Sequence, residues 1–134
     1  VETHIELTIR EKKEVQLVKD LLKSGDTENA IRTLKLILNT YDESSSSLEV
    51  KFLLGESLML NKEWKEAAIV YLDIYSSYSR SQRTAEALYL LGVSFSELGQ
   101  FEQACLMFSQ IELEHQSSPF RREAHKISMD LNCQ

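Results

Sequence analysis

The stretch AEALYLLGVSFSELGQFEQACLMF, residues 85–108, carries the pattern on which the fold of this chain depends. Leu91 and Phe95 lie one helical turn apart before the Leu98-Gly99 pair, and Ala104 and Phe108 lie one turn apart after it. Apolar residues at every third or fourth position are typical of an α-helix with one buried face. Glycine is the residue that most often follows the last turn of a helix. The stretch therefore predicts two helices joined by a tight turn.

The same pattern occurs three times in the chain, at intervals of 37 residues. A small residue of the second helix recurs as Ala30, Ala67 and Ala104, and a Leu-Gly pair of the first helix occurs at 54–55 and 91–92. Other apolar positions keep the same interval: Leu17, Leu54, Leu91; Leu21, Leu58, Phe95; Leu34, Tyr71, Phe108; Ile37, Ile74, Ile111. A period of 20–50 residues indicates stacked supersecondary units, none of which can bury its apolar face alone.

We predict an all-α fold of three helix pairs that stack into a right-handed superhelix, followed by a C-terminal capping helix. The predicted helices are 9–23, 27–41, 47–60, 64–78, 84–97, 101–115 and 119–131. The whole chain, 1–134, is predicted to be one domain with repeats at 9–46, 47–83 and 84–118 and a cap at 119–134. Five small residues are assigned to close helix contacts: Ala30, Gly55, Ala67, Gly92 and Ala104. Expected caps are a Thr8–Glu11 capping box, Asp26 after Gly25, Thr84, and Ser118 before Pro119.

Composition excludes several classes of protein. The 134 residues include only 4 Gly and 1 Pro, too few for the many turns of a β-sandwich. The net charge of −6 makes nucleic-acid binding a poor hypothesis, because affinity for phosphates comes from Lys and Arg. No apolar run reaches the roughly 20 residues that span a bilayer, so no membrane insertion is expected. No signal peptide is visible, but the chain begins at Val1, so this does not argue for the cytoplasm.

Catalytic chemistry is not expected. His4, His115 and His125 do not pair at helical spacing, and no carboxylate joins them as a metal ligand would. Cys105 occupies the repeat position of Ile31 and Ala68, which is a packing position rather than that of a nucleophile. No glycine-rich phosphate loop is present. We therefore predict a binding module that is not an enzyme and needs no metal or cofactor.

The repeat resembles the tetratricopeptide repeat, in which Leu-Gly is followed by an aromatic residue, a small Ala and another aromatic residue. Residues 85–108 with Ser117-Ser118-Pro119 also resemble the last repeat of the tol-pal system tetratricopeptide family, often called YbgF or CpoB, the cell division coordinator. The resemblance extends from about Glu14 to Lys126. This chain departs from the family pattern in its 37-residue period, where 34 is usual, and in the absence of Tyr-Pro after the second helices.

The resemblance implies a periplasmic interaction module that coordinates envelope constriction with peptidoglycan synthesis during division. Its implied partners are a TolA-like inner-membrane protein and a peptidoglycan synthase, with the isolated domain a monomer or weak dimer. The alternative is a generic tetratricopeptide adaptor that binds another peptide or helix. Outer-membrane assembly proteins with similar repeats belong to this alternative.

In such repeats the first helices line the partner-binding groove. The phase assigns nine residues to this groove: Lys12, Lys19, Glu49, Phe52, Glu56, Met59, Glu86, Tyr89 and Val93. Phe52 and Tyr89 are 37 residues apart and are expected to be neighbours in the groove, or alternatively to be partly buried between helices.

The two cysteines, Cys105 and Cys133, are candidates for a disulfide. The capping helix is expected to run back along the last repeat helix, which brings the chain end towards Cys105. In the tol-pal family a Cys commonly follows the small Ala, and another often lies near the C-terminus, which supports the pairing by resemblance. The alternative is a buried thiol at Cys105 and a frayed Cys133.

Overall fold

The computed structural model describes residues 3–134 of the chain. These residues form seven α-helices and contain no strand, as the periodicity predicts. The helices are α1 (His4–Lys23), α2 (Thr27–Thr40), α3 (Ser47–Leu60), α4 (Trp64–Ser77), α5 (Thr84–Glu97), α6 (Phe101–Glu114) and α7 (Phe120–Asp130). Six of them agree with the prediction to within one residue at each end, and only α1 starts much earlier.

The predicted start of α1 is wrong by more than one turn. Thr3, not Thr8, is the N-cap: its hydroxyl accepts from the Glu6 backbone N–H at 3.1 Å, and the Glu6 carboxylate accepts from the Thr3 N–H at 3.2 Å. This is a complete capping box, five residues upstream of the predicted one. Thr8 instead donates to the His4 carbonyl within the helix. Glu11 is buried and accepts from the Ser44 hydroxyl at 2.6 Å.

Two other predicted caps differ from the structure. Thr84 lies inside α5, is buried, and donates its hydroxyl to the Tyr78 and Ser81 carbonyls at 2.7 and 2.8 Å. Its hydroxyl therefore fixes the preceding loop instead of capping the helix. Pro119 occupies the N-cap position rather than the first helical turn, while the Ser118 hydroxyl still accepts from the Phe120 N–H at 3.1 Å.

The described residues divide into two compact units, one that ends at Glu63 and one that spans Trp64–Gln134. In the first unit, α2 packs against both α1 and α3. Val18 of α1 and Ala30, Leu34 and Ile37 of α2 are buried there. The prediction that residues 1–134 form a single domain stays a prediction.

The second unit contains the last four helices. Its core is formed by Leu88 of α5, Ala104, Phe108 and Ile111 of α6, and Ala124 of α7. Helix α5 packs against α4, α6 and α7, and α7 also packs against α6. The apolar stripe that the 37-residue phase predicts is therefore the stripe that this unit buries.

The outer side of α1 differs from the equivalent sides of α3 and α5. Positions 50, 54 and 57 of α3 and 87, 91 and 94 of α5 are all buried. The same positions in α1 hold Lys13, Leu17 and Asp20, which are exposed. Leu17 was expected on the buried stripe but is 54% exposed, because no other described helix covers that side of α1. That side of α1 is therefore mixed in character: it carries the charged Lys13 and Asp20, but also the exposed apolar side chains of Leu17, Ile9 and Ile5.

Four helices end in the same hydrogen-bonded turn. The residue two places after each helix has a positive φ: Gly25 (82°), Lys62 (59°), Gly99 (76°) and Asn132 (57°). In each case its N–H donates three residues back, and the next N–H donates five residues back. This is the Schellman motif, in which glycine is preferred because a left-handed backbone costs L-residues about 1–2 kcal/mol. The motif also sets the start of α2, where the Asp26 carboxylate caps the Asn29 N–H at 3.2 Å.

We expect Lys62→Gly to stabilise the protein by about 0.5–1 kcal/mol. The relief of left-handed strain exceeds the extra chain entropy that glycine brings to the unfolded state. Urea unfolding followed by circular dichroism measures the change. The reverse substitution Gly25→Lys is the matched control: nothing lies within 4 Å of an added Cβ there, so only the backbone conformation opposes it. Gly25→Lys should destabilise, and equal stability of both variants would contradict the strain argument.

Candidate protein-binding surface

The first helices of the first unit present charges of both signs. Lys19 of α1 and Glu49 of α3 form an ion pair at 2.8 Å, so these two groove residues contact each other directly. Lys12 and Glu56 lie on the same helices and are exposed, and Met59 is half-buried. These five residues are called here the first-helix face. Because the Lys19–Glu49 pair is well exposed, it contributes only about 0–1 kcal/mol to stability and remains accessible to a charged partner.

Phe52 has little surface to offer a partner. Its side chain is 5% exposed, as is that of Val15 at the equivalent position of α1. Of the two alternatives for Phe52, burial between helices is the one that the structure shows. Its part in partner binding stays a prediction, and Phe52→Ala is a poor test because truncating a buried aromatic side chain costs about 3–5 kcal/mol.

In the second unit, Tyr89 lies between two aromatic rings. Its ring centroid is 5.4 Å from that of Phe120 in α7 and 6.2 Å from that of Phe108 in α6. Burial, and secondarily the Glu123 carboxylate, raises the pKa of the Tyr89 phenol. Phe120 is a contact that the 37-residue phase does not mark, although its place directly after Pro119 indicates a helix start. Tyr89 therefore helps to dock the capping helix, whatever else it binds.

The other groove residues of the second unit have local roles. Glu86 accepts from the Arg83 guanidinium at 2.8 Å, an ion pair between residues three apart. Val93 is half-buried and packs against the core that contains Phe108. These are contacts within the chain. That a partner binds at Glu86, Tyr89 and Val93 stays a prediction.

The small residues assigned to close helix contacts are all buried. Ala30, Ala67 and Ala104 have no exposed surface, and Gly55 and Gly92 are buried as well. A Cβ on Gly92 would lie 2.5 Å from Cε1 of Phe108. Helix α5 can approach α6 this closely only because position 92 has no side chain.

Cys105 and Cys133 form a disulfide, with their Cα atoms 5.5 Å apart. Cys133 follows Asn132, the residue with positive φ in the Schellman turn after α7. This turn directs the chain back so that Cys133 reaches Cys105 on α6. The bridge therefore ties the end of the described chain to the last repeat. A disulfide of this kind is typical of oxidising compartments.

Within the described part of the chain, the histidines belong to no group of side chains that could hold a metal ion. His115 follows α6, and its N–H donates to the Ile111 carbonyl at 2.9 Å; His125 lies 4.0 Å from Glu112. Among residues 3–134, no group of three or more His, Cys, Asp or Glu side chains could hold a metal ion. Over the same residues, none of the helices combines the length and the apolar character needed to cross a membrane.

Comparison with known protein families identifies one match. Residues 86–118, which include α5 for all but its first two residues, α6 and the following turn, match the tetratricopeptide repeat family. A search of curated proteins gives no match. With seven helices, no strand in the described chain and the repeat match, the fold class is all-α and of the tetratricopeptide-repeat type, and such repeats are typically modules for protein–protein interaction.

Proposed function

We propose that this chain is a non-catalytic protein-interaction module that binds its partner through its first helices. The tetratricopeptide match at residues 86–118 carries the proposal, because these repeats typically present their first helices to protein segments. The first-helix face supplies accessible groups for such contact in the first unit. Its exposed charges would orient a partner, and half-buried Met59 would supply apolar contact.

The partner that suits this face is a segment with charges of both signs beside an apolar side chain. Lys12 and Lys23 are exposed cations on α1, and Glu56 is an exposed anion on α3. Leu60, one turn beyond Glu56, is 60% exposed and extends the apolar area around Met59. Charged side chains on an interface rim mainly accelerate association and select the partner, while the apolar centre provides most of the affinity.

We further propose that the module belongs to a tol-pal type envelope system in the periplasm, where it coordinates constriction and peptidoglycan synthesis during division. Two observations support this: the sequence resemblance between Glu14 and Lys126, and the Cys105–Cys133 bridge, which suits an oxidising compartment. The proposed partners are a TolA-like inner-membrane protein and a peptidoglycan synthase.

The test is binding of the periplasmic part of TolA, measured by isothermal titration calorimetry with the oxidised chain. We expect Met59→Ala to weaken the complex by about 1–2 kcal/mol, roughly five- to thirtyfold, if Met59 is a hot spot. Met129→Ala is the matched control, since Met129 is 65% exposed and belongs to α7 of the second unit, not to the first-helix face. Circular dichroism should show both variants folded.

Two outcomes would count against the proposals separately. If the wild-type chain does not bind the TolA fragment or a peptidoglycan synthase, the tol-pal assignment is overturned and a generic adaptor is the better interpretation. If the chain binds but Met59→Ala and Met129→Ala bind equally well, the partner lies elsewhere than the first-helix face. Glu56→Lys paired with Glu102→Lys, both at exposed glutamates, then tests the charged part of the face independently.

A further inference from the structure

The second unit has an apolar groove on the side of α4, outside the first-helix face. The groove has a volume of about 330 Å³ and lies between α4 and the end of α5. Its apolar lining includes Ile69 and Leu72 of α4, Phe95 of α5 and Leu98 of the following turn. Ile69 is 61% exposed and Leu72 49%. Two large aliphatic side chains so close together on a helix surface require an explanation, because isolated exposed residues are common but clusters often mark interaction sites.

The first repeat has polar residues where the second has the apolar lining of the groove. The residues 37 positions earlier than Ile69, Leu72 and Leu98 are Arg32, Lys35 and Asn61. Arg32 is exposed and pairs with Glu28 and Asn29 on the surface of α2, at 3.8 and 3.0 Å. Helices α2 and α3 nevertheless pack together as α4 and α5 do. Apolar residues at these positions are therefore not a general requirement for packing the two helices together.

The exposed stripe of α4 is complementary to itself. Lys65, Ile69 and Asp73 follow at intervals of four residues, so they lie on one side of the helix with Ile69 in the middle. Asp73 is exposed and accepts from the Ser77 hydroxyl at 3.2 Å, and Lys65 is exposed as well. When two copies of α4 cross antiparallel at Ile69, each Lys65 faces the other copy's Asp73. A two-fold axis requires this relation, in which residue i meets j and j meets i.

We propose that a second copy of this chain occupies the groove, forming a two-fold symmetric dimer in which Ile69 of each copy packs against the apolar lining of the other. The charges select an antiparallel crossing, since a parallel one would place like charges together. The association is weak, because one helix face and one small groove bury less than the roughly 1,200 Å² of a standard interface. The proposal is independent of the partner proposed for the first-helix face.

Sedimentation equilibrium of the oxidised chain tests the dimer, over about 10 μM to 1 mM to cover weak affinities. We expect the average mass to rise with concentration from 15.4 kDa towards twice that value. Ile69→Arg should weaken association at least tenfold while keeping the fold, because Arg32 occupies the same position in the first repeat. Leu106→Arg is the matched control: Leu106 lies 37 residues after Ile69, is 59% exposed and is not in the groove.

A charge exchange tests the geometry. Lys65→Asp and Asp73→Lys should each weaken the dimer several-fold, and the double variant should recover most of the wild-type affinity. A chain that stays monomeric at 1 mM would overturn the proposal, as would equal effects of Ile69→Arg and Leu106→Arg. A double variant no better than the single ones would overturn the antiparallel arrangement.

Discussion

Gly92→Ala should destabilise the protein by about 1–3 kcal/mol or more, although alanine is the better helix former. In an unconstrained helix this substitution stabilises by about 1 kcal/mol, so the expected change has the opposite sign. The reason is the ring of Phe108. Three of its carbon atoms would lie only 2.5–2.9 Å from the new Cβ. Phe108 is 1% exposed, and overpacking of a buried site costs about 1–3 kcal/mol.

A double-mutant cycle with Phe108→Leu identifies the cause. In the first repeat, Val18 takes the position of Gly92 and Leu34 that of Phe108, and both are fully buried. The larger Val18 on the first helix is thus accompanied by the smaller Leu34 on the second. We therefore expect Gly92→Ala/Phe108→Leu to be more stable than the two single effects predict, by about 0.5–3 kcal/mol in urea unfolding. An increase in stability with Gly92→Ala alone would show that α5 and α6 do not pack this closely.

Loss of the Cys105–Cys133 bridge should lower the free energy of unfolding by about 3.5 kcal/mol. The bridge spans 28 residues, and the chain-entropy model gives about this value for a loop of that length. Helix α7 should respond most. Ala124 is its only fully buried residue among those described, and its Arg121–Glu112 ion pair at 3.0 Å is exposed. Besides the bridge, α7 is held mainly by the Phe120–Tyr89 contact and by partly buried Ile127.

Unfolding in urea with and without a reductant measures this effect. The wild type should lose stability on reduction, while the Cys105→Ser/Cys133→Ser variant should be equally stable in both conditions and match the reduced wild type. Amide hydrogen exchange should show the largest loss of protection in α7, with α4 and α5 little changed. A loss below about 1 kcal/mol would contradict the expected role of the bridge.

The helices were predictable because one periodic signal fixes them repeatedly. Three copies of the Ala and Leu positions leave little freedom for the bounds of α2 to α6. The first turns of α1 lie before the first repeat position, so their prediction rested on a local capping motif alone. Thr3–Glu6 and Thr8–Glu11 have the same spacing, and the sequence does not show which one starts the helix.

The binding surface was less predictable, because periodicity says which residues are equivalent but not which neighbour covers them. Tyr89 was assigned to the groove by phase, whereas the structure places its ring against Phe120 of α7. The apolar groove on α4 was missed for the opposite reason: it depends on Leu72, whose equivalents in the other repeats are Lys35 and Ser109. Comparing the repeats for differences in polarity, rather than for shared positions, is the signal that could have found it.

The two charged residues on the outer side of α1 affect how copies of this chain can assemble. Repeat units can in principle continue from one molecule to the next, and a head-to-tail contact that does not close produces an open filament. Continuation would bury Lys13 and Asp20, the polar residues at positions that are apolar or small in α3 and α5. Removing these two charges from water without partners is costly. We therefore expect these two charges to disfavour a head-to-tail contact through this side of α1, and with it an open filament.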